Sequence, residues 1–223
     1  MEVLMFILVA GVIIASVIWA LVAARKRREA FAAIAARLGL SFSPGHDRGL
    51  AARFQFLDKL AQGENRYAYN ILSGDYRGHA TFAFDYHYET HSRDSKGRRR
   101  TQHHHFSFLI LMLERSFPEL TIAREGIFSK IAQTFGYDDI DFESHEFSRK
   151  FCVRSKDKKF AYDVCHVRMM EYLLANPDLT IEIEACALAI AFSHCLKPEE
   201  IEPNLDRLAQ IRLLLPNYLF TTV

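Results

Sequence analysis

Residues that break, staple or specially bend a chain are scarce here: 10 Gly, 6 Pro and 4 Cys among 223 residues. Few Gly and Pro exclude a collagen-like repeat, and few Cys exclude a disulfide-stapled miniprotein. With half of the residues hydrophobic and only 25% charged, a disordered polyelectrolyte is excluded too. An excess of either charge is also missing: 28 Lys+Arg stand against 27 Asp+Glu, a formal net charge of +1. That near-neutrality argues against nucleic acid as a partner.

The usual signatures of catalysis are missing as well. There is no H-E-x-x-H, no G-x-S-x-G elbow and no glycine-rich phosphate loop, and no cofactor is assigned. Cys152, Cys165, Cys186 and Cys195 show no C-x-x-C spacing, which fits reduced thiols in an intracellular domain. Cys165-His166 are sequence neighbours on an expected helix, where such side chains diverge by about 100° and make no dyad, and His194-Cys195, at the end of a strand, make none either. Asp138, Asp139, Asp141 and Glu143 match a calcium loop in charge only, without its glycine and bidentate Glu.

Charge is absent most completely from the N-terminus. From Val3 to Ala24 the only polar side chain is Ser16, and Arg25-Lys26-Arg27-Arg28 follows at once. As a helix this run reaches about 33 Å, enough for a hydrocarbon core of about 30 Å. A cleaved signal peptide would place its positive charge before the apolar run, not after it. The pattern predicts a transmembrane anchor over 1–24 with its N-terminus outside and the basic cluster cytoplasmic. Phe31, Ile34 and Leu38 share one helical face, so 25–39 is expected as a juxtamembrane helical stalk.

The remainder, 40–223, reads as a cytoplasmic α+β domain of antiparallel sheets and packed helices, with two sub-lobes at about 40–123 and 124–223. A short strand is expected at Leu40–Ser43 and a helix at Leu50–Leu60. An aromatic meander follows, with strands Tyr67–Leu72, His79–His91 and His103–Leu113. Alternation sets Phe82, Phe84, Tyr86 and Tyr88 on one face and Ala83, Asp85, His87, Glu89 and His91 on the other. Further expectations are a helix at Glu125–Phe135, a strand at Phe151–Arg154, and helical residues from an Asp157 cap to Ala175. A second hairpin, Thr180–Glu184 with Ala187–Phe192, precedes a last helix whose stripe is Ile201, Leu205, Leu208, Ile211 and Leu215.

The pattern FESxEFSRKFxVRSxDxxFA, the RMMEYLL helix after it, the short hairpin, the terminal helix and the upstream FDYHYET strand together carry a resemblance. The chain resembles uncharacterised bacterial single-span membrane proteins carrying a cytoplasmic domain of unknown function. The likeness covers Phe142–Leu215, Arg66–Met112 more weakly, and the anchor. It implies a bacterial source and an inner-membrane address, and it brings no activity, ligand or catalytic residue.

Two clusters remain as candidate chemistry. Asp85, His87, His91, His103 and His105 would converge if the two long strands pair across the SKG turn, a donor set suited to a metal. A slip of one residue would turn His103 and His105 to the opposite face, and the long loop leaves that register open. The second cluster is basic: Arg25, Lys26, Arg27 and Arg28, together with Arg93, Lys96, Arg98, Arg99 and Arg100, as a contact for anionic lipid. The expectation is a membrane-anchored interaction or scaffold domain whose partners are the lipid bilayer and a protein. The alternative is a metal-dependent enzyme built on the histidine strands, and no catalytic residue is assigned.

Overall fold

The computed structural model describes residues 2–93, 97–124 and 140–221. Chain order begins with a 37-residue helix, α1 (Glu2–Leu38). It has no proline, and its one interior glycine, Gly11, does not interrupt it. At Gly39, φ is +70°, which closes the helix in the left-handed conformation glycine tolerates.

The lower half of α1 is not a free stalk. Phe31 and Ala35 are each 1% exposed and lie in the main core, and the Phe31 ring stacks on Phe42. The expected membrane span is corrected: among the described residues, no helix is long and apolar enough to cross a membrane. From Arg25 onward the same helix is basic and then packed on the sheet. The single-pass, inner-membrane placement that rested on the span falls with it.

Among the described residues, one six-stranded antiparallel sheet organises the rest. Its strands are β1 (Ser41–Ser43), β2 (Glu64–Tyr76), β3 (His79–Arg93), β4 (Arg99–Arg124), β5 (Phe151–Ser155) and β6 (Ile181–Ala191). The helices are α2 (Arg48–Arg53), α3 (Asp58–Ala61), α4 (His145–Lys150), α5 (Lys158–Val164), α6 (Val167–Ala175) and α7 (Pro198–Leu214). The α+β class therefore holds. Asp47 and Asp157 cap α2 and α5, accepting from the backbone N–H of Leu50 at 2.8 Å and of Phe160 at 3.0 Å. The helix expected at Leu50–Leu60 is two short ones, and the helix expected at Glu125–Phe135 lies outside the described residues.

β4, 26 residues long, is the spine. Its first half pairs with β3, its second half with β5, and β6 runs along both halves. One sheet thus replaces the two sheet-forming regions expected from the sequence. The expected second hairpin is a single strand. Ala185, at φ +49°, is a left-handed residue where the pairing with β4 shifts; the extra residues of the bulge lie on β4, and β6 continues past it without reversing.

The sheet is covered on both sides. Phe84, Tyr86, Tyr88, Phe106, Phe108 and Ile110 face Leu50, Phe54, Leu57 and Leu60 of the α2–α3 segment. On the reverse, Ala83, Leu109 and Leu111 meet Phe31 and Ala35 of α1, and the Ile201, Leu205, Leu208 and Ile211 stripe of α7 joins that core. The expected alternation of β3 is therefore the observed one. It places Asp85, His87 and Glu89 on the α1 side, where Asp85 and His87 are buried.

Candidate functional site: the histidine end of the sheet

The strand register settles which polar groups meet. Asp85 lies opposite Ser107, His87 opposite His105 and Glu89 opposite His103, while Tyr67 and Tyr69 of β2 flank His87 and Asp85. All of these side chains fall on the face that α1 crosses, because cross-strand partners in an antiparallel pair share a side.

Asp85 is 1% exposed and fully engaged. Its carboxylate accepts from Arg27 Nη2 at 2.9 Å, Asn70 Nδ2 at 2.9 Å and Ser107 Oγ at 2.6 Å. Arg27 also donates to the Leu196 carbonyl at 2.8 Å, and the Leu196 N–H donates to Ser107 Oγ at 2.8 Å. A buried carboxylate persists only when paired and hydrogen-bonded, and this network locks α1, β2, β3, β4 and the segment after β6 together. Its role is structural, and it leaves Asp85 unsuited to hold a metal.

Next along the face is a pile of rings. Tyr67 lies between His46 and His87, stacked at 4.1 Å and 4.5 Å between centroids. Tyr69 Oη meets His105 Nδ1 at 3.1 Å and Cys195 Sγ at 3.7 Å. Burial pushes the Tyr69 hydroxyl and the Cys195 thiol up and the His105 imidazole down, so each favours its neutral form at neutral pH. Above the rings, Arg27 and Arg28 of α1 roof an open cleft of about 340 Å³ that His46, Tyr67, Tyr69 and His105 also line.

Toward the hairpin, His87, Glu89 and His103 come together, with one ligand atom from each within 4.8 Å of the others. Two members of the expected metal set, His87 and His103, are therefore brought together. Asp85 is consumed by its three donors, His105 is turned to Tyr69, and His91 meets Thr101 Oγ1 at 3.1 Å and Glu64 at 3.5 Å. Glu89, which shares the strand face, takes the acidic position instead.

The basic segments are spread differently. Arg25 pairs with Glu29 at 2.8 Å and Arg27 with Asp85, while Lys26 and Arg28 are exposed. Arg93, Arg98, Arg99 and Arg100 are exposed at the β3–β4 end, and Lys96 lies outside the described residues. Contacts along α1 fix its direction: Phe31 stacks on Phe42 beside Leu72, Arg27 reaches Asp85, and Ala24 shares a cleft with Tyr67 and His105. α1 thus runs back toward its N-terminus in the direction in which β3 runs toward Arg93. Both basic segments leave the body at one end.

A second cavity, of about 180 Å³, opens beside α3, lined by Asp58, Lys59, Thr180, Glu182, Phe192 and His194 among others. Glu182 is 5% exposed, accepts from the Lys59 backbone N–H at 3.4 Å, and is pushed up to about 8 by burial. Cys165 is buried with its thiol pushed up by desolvation, and the neighbouring His166 ring contacts the Leu214 carbonyl at 2.8 Å, so the two form no dyad.

Sequence reasoning missed Arg27 as the partner of Asp85, Asn65 beside the histidines, and the Lys59–Glu182 cavity. One signal was there for the first: an acid in the middle of an aromatic strand needs a cation, and the basic cluster was the nearest unassigned supply.

No protein-family model matches the chain, and no curated protein does. A solved structure does: the crystal structure of the mycobacterial trehalose monomycolate transport factor A, TtfA. The likeness covers 86% of this chain and 95% of that one, at a TM-score of 0.58 and 15% identity. At that identity the two share a fold, and the comparison extends to the fold alone.

Proposed function

We propose that this chain is a non-catalytic interaction domain that docks on a protein partner through the projecting part of α1. One observation carries the reading. Val12, Ile13, Ile14, Val17, Ile18, Trp19, Leu21 and Val22 are all exposed, Trp19 at 74%, along one helix that then enters the domain core. Contiguous apolar surface of this kind marks an interaction site, and its rigid continuation into the sheet would transmit a docked partner's position to the body.

The test is quantitative co-purification with the full chain and with its Ile14→Lys/Ile18→Lys double variant, two positions one turn apart on one face. At least one protein recovered with the parent is expected to fall tenfold or more with the variant. Identical recoveries would overturn the reading.

A second reading has its own observation: both basic segments leave the body at the same end, and Arg93 sits directly opposite Arg99 in the hairpin. Like charges facing across a ribbon repel unless an anion neutralises them, which favours anionic lipid headgroups there. Flotation with phosphatidylglycerol vesicles and neutral phosphatidylcholine vesicles separates the readings. Binding to the anionic vesicles alone, lost when Arg93, Arg98, Arg99 and Arg100 become Ser, supports the lipid contact. Equal binding by parent and variant removes the hairpin from it.

A further inference from the structure

We propose that His87, Glu89 and His103 form a zinc(II) site with an open fourth position, whatever partner α1 engages. His87 Nε2 and His103 Nδ1 are 3.0 Å apart, and His103 Nδ1 and Glu89 Oε1 are 3.5 Å apart. Donors about 2.0–2.1 Å from a tetrahedral zinc are separated by about 3.3 Å, so these two gaps lie close to the edges of such a site, and the third, between His87 and Glu89, is within 4.8 Å. Two imidazoles and one carboxylate are a donor set that zinc accepts, with the remaining position left to water or a ligand.

The surroundings are arranged as a ligand set requires. His87 is 2% exposed, and its far nitrogen, Nδ1, faces the backbone carbonyl of Asn65 at 3.1 Å. A proton held there directs the lone pair of Nε2 toward His103, the outer support that metal-bound histidines commonly have. Asn65 also donates through Nδ2 to Glu89 Oε1 at 2.6 Å, and its own Oδ1 accepts from Arg48 Nη2 at 2.7 Å. It holds φ at +49°, a conformation Asn adopts more readily than most residues. One residue thus orients two of the three ligands.

Access is provided as well. The His103 side chain is 57% exposed and that of Glu89 is 16% exposed, so an ion enters from solvent and meets the buried His87 at the floor. The stacked Tyr67 ring walls the His87 side. Register explains why these three belong together and the other histidines do not. His87 meets His103 on the diagonal, one pair removed from its direct partner, whereas His105 is turned to the Tyr69 hydroxyl.

The full chain, purified without a histidine tag and stripped with a chelator, is titrated with zinc(II) alone against a chromophoric competitor. Cobalt(II) then serves as a spectroscopic probe of coordination. The parent is expected to bind one zinc per chain at micromolar or lower free metal and to give the intense visible bands of four-coordinate cobalt. His103→Gln and Glu89→Gln lie at the rim and are expected to fold; each should weaken binding tenfold or more. Asn65→Gly keeps the backbone carbonyl and the positive φ but removes the amide, and about a tenfold loss is expected. His91→Gln and His105→Gln should bind as the parent does. Absence of stoichiometric binding by the parent would overturn the site. So would parent-like affinity in the rim variants, or an equal loss in the His91 and His105 variants.

Discussion

At the scale of single residues, the most consequential side chain is Asp85. Removing it strands Arg27, Asn70 and Ser107, three donors that converge on its carboxylate. Breaking a buried ion pair from one side costs about 3–5 kcal/mol. Urea denaturation of Asp85→Ala should show a loss of that size, and Arg27→Met/Asp85→Leu should recover part of it; a neutral Asp85→Ala would contradict the role assigned to the network. The sequence pointed to Asp85 as a metal ligand because it shares a face with the histidines. Its true partners come from residues 27, 70 and 107, and no local pattern connects them.

Glu182 gives the residue scale its pH dependence. Burial pushes it up to about 8 from an ordinary value of 4.5, so between those values the folded chain holds a proton that the unfolded chain has released. The sign follows: stability present below about pH 4.5 is lost as pH rises toward about 8, at up to about 1.4 kcal/mol per pH unit. Glu182→Gln keeps the volume and removes the charge. Its melting temperature relative to the parent should be unchanged near pH 5 and higher near pH 8, measured in parallel scans. A constant difference across that range would show that Glu182 does not titrate in this window.

At the scale of elements, period-two patterning made β3 and the first half of β4 legible, including which aromatic residues enter the core. Length was less legible. β4 continues through Glu114–Ser116 because β6 stays beside it across a bulge, and tertiary pairing of that kind leaves no local periodicity. β6 read as a hairpin for the same reason: the sequence shows the interruption at Ala185 but not its direction. A left-handed Ala costs about 1–2 kcal/mol relative to a relaxed one. Ala185→Gly should therefore be neutral or stabilising, whereas Ala189→Gly, fully buried in the same strand, should be destabilising; equilibrium denaturation of the pair checks this. A loss at both positions would mean that Ala185 bears no strain.

The lower part of α1 belongs to the same scale. Periodicity identified its inward face, yet a stalk and a packed helix share that pattern, and only the apolar Ala83–Leu109 surface of the sheet, buried together with Phe31 and Ala35, decides between them. Phe31→Ala should cost about 3–5 kcal/mol by urea denaturation, as for a core aromatic. A stalk residue would cost nothing measurable.

At the scale of the whole molecule, the sheet is covered on both faces, and four features gather at one end. The projecting apolar helix, the arginine-roofed cleft, the His87–Glu89–His103 group and the basic hairpin all lie along or beyond the α1 side of β3. Composition averaged that asymmetry away: a net charge of +1 hides two basic segments, and a 50% hydrophobic content hides one uncovered helix. The polarity of the fold supports docking through that end. Photo-crosslinking in intact cells addresses it directly, with a benzophenone side chain at Ile18 of the full chain and, for comparison, at exposed Tyr218 on the body. Docking through α1 is expected to give a discrete higher-mass adduct to a protein from position 18 and none from position 218. No adduct from position 18, or the same adducts from both, would contradict it.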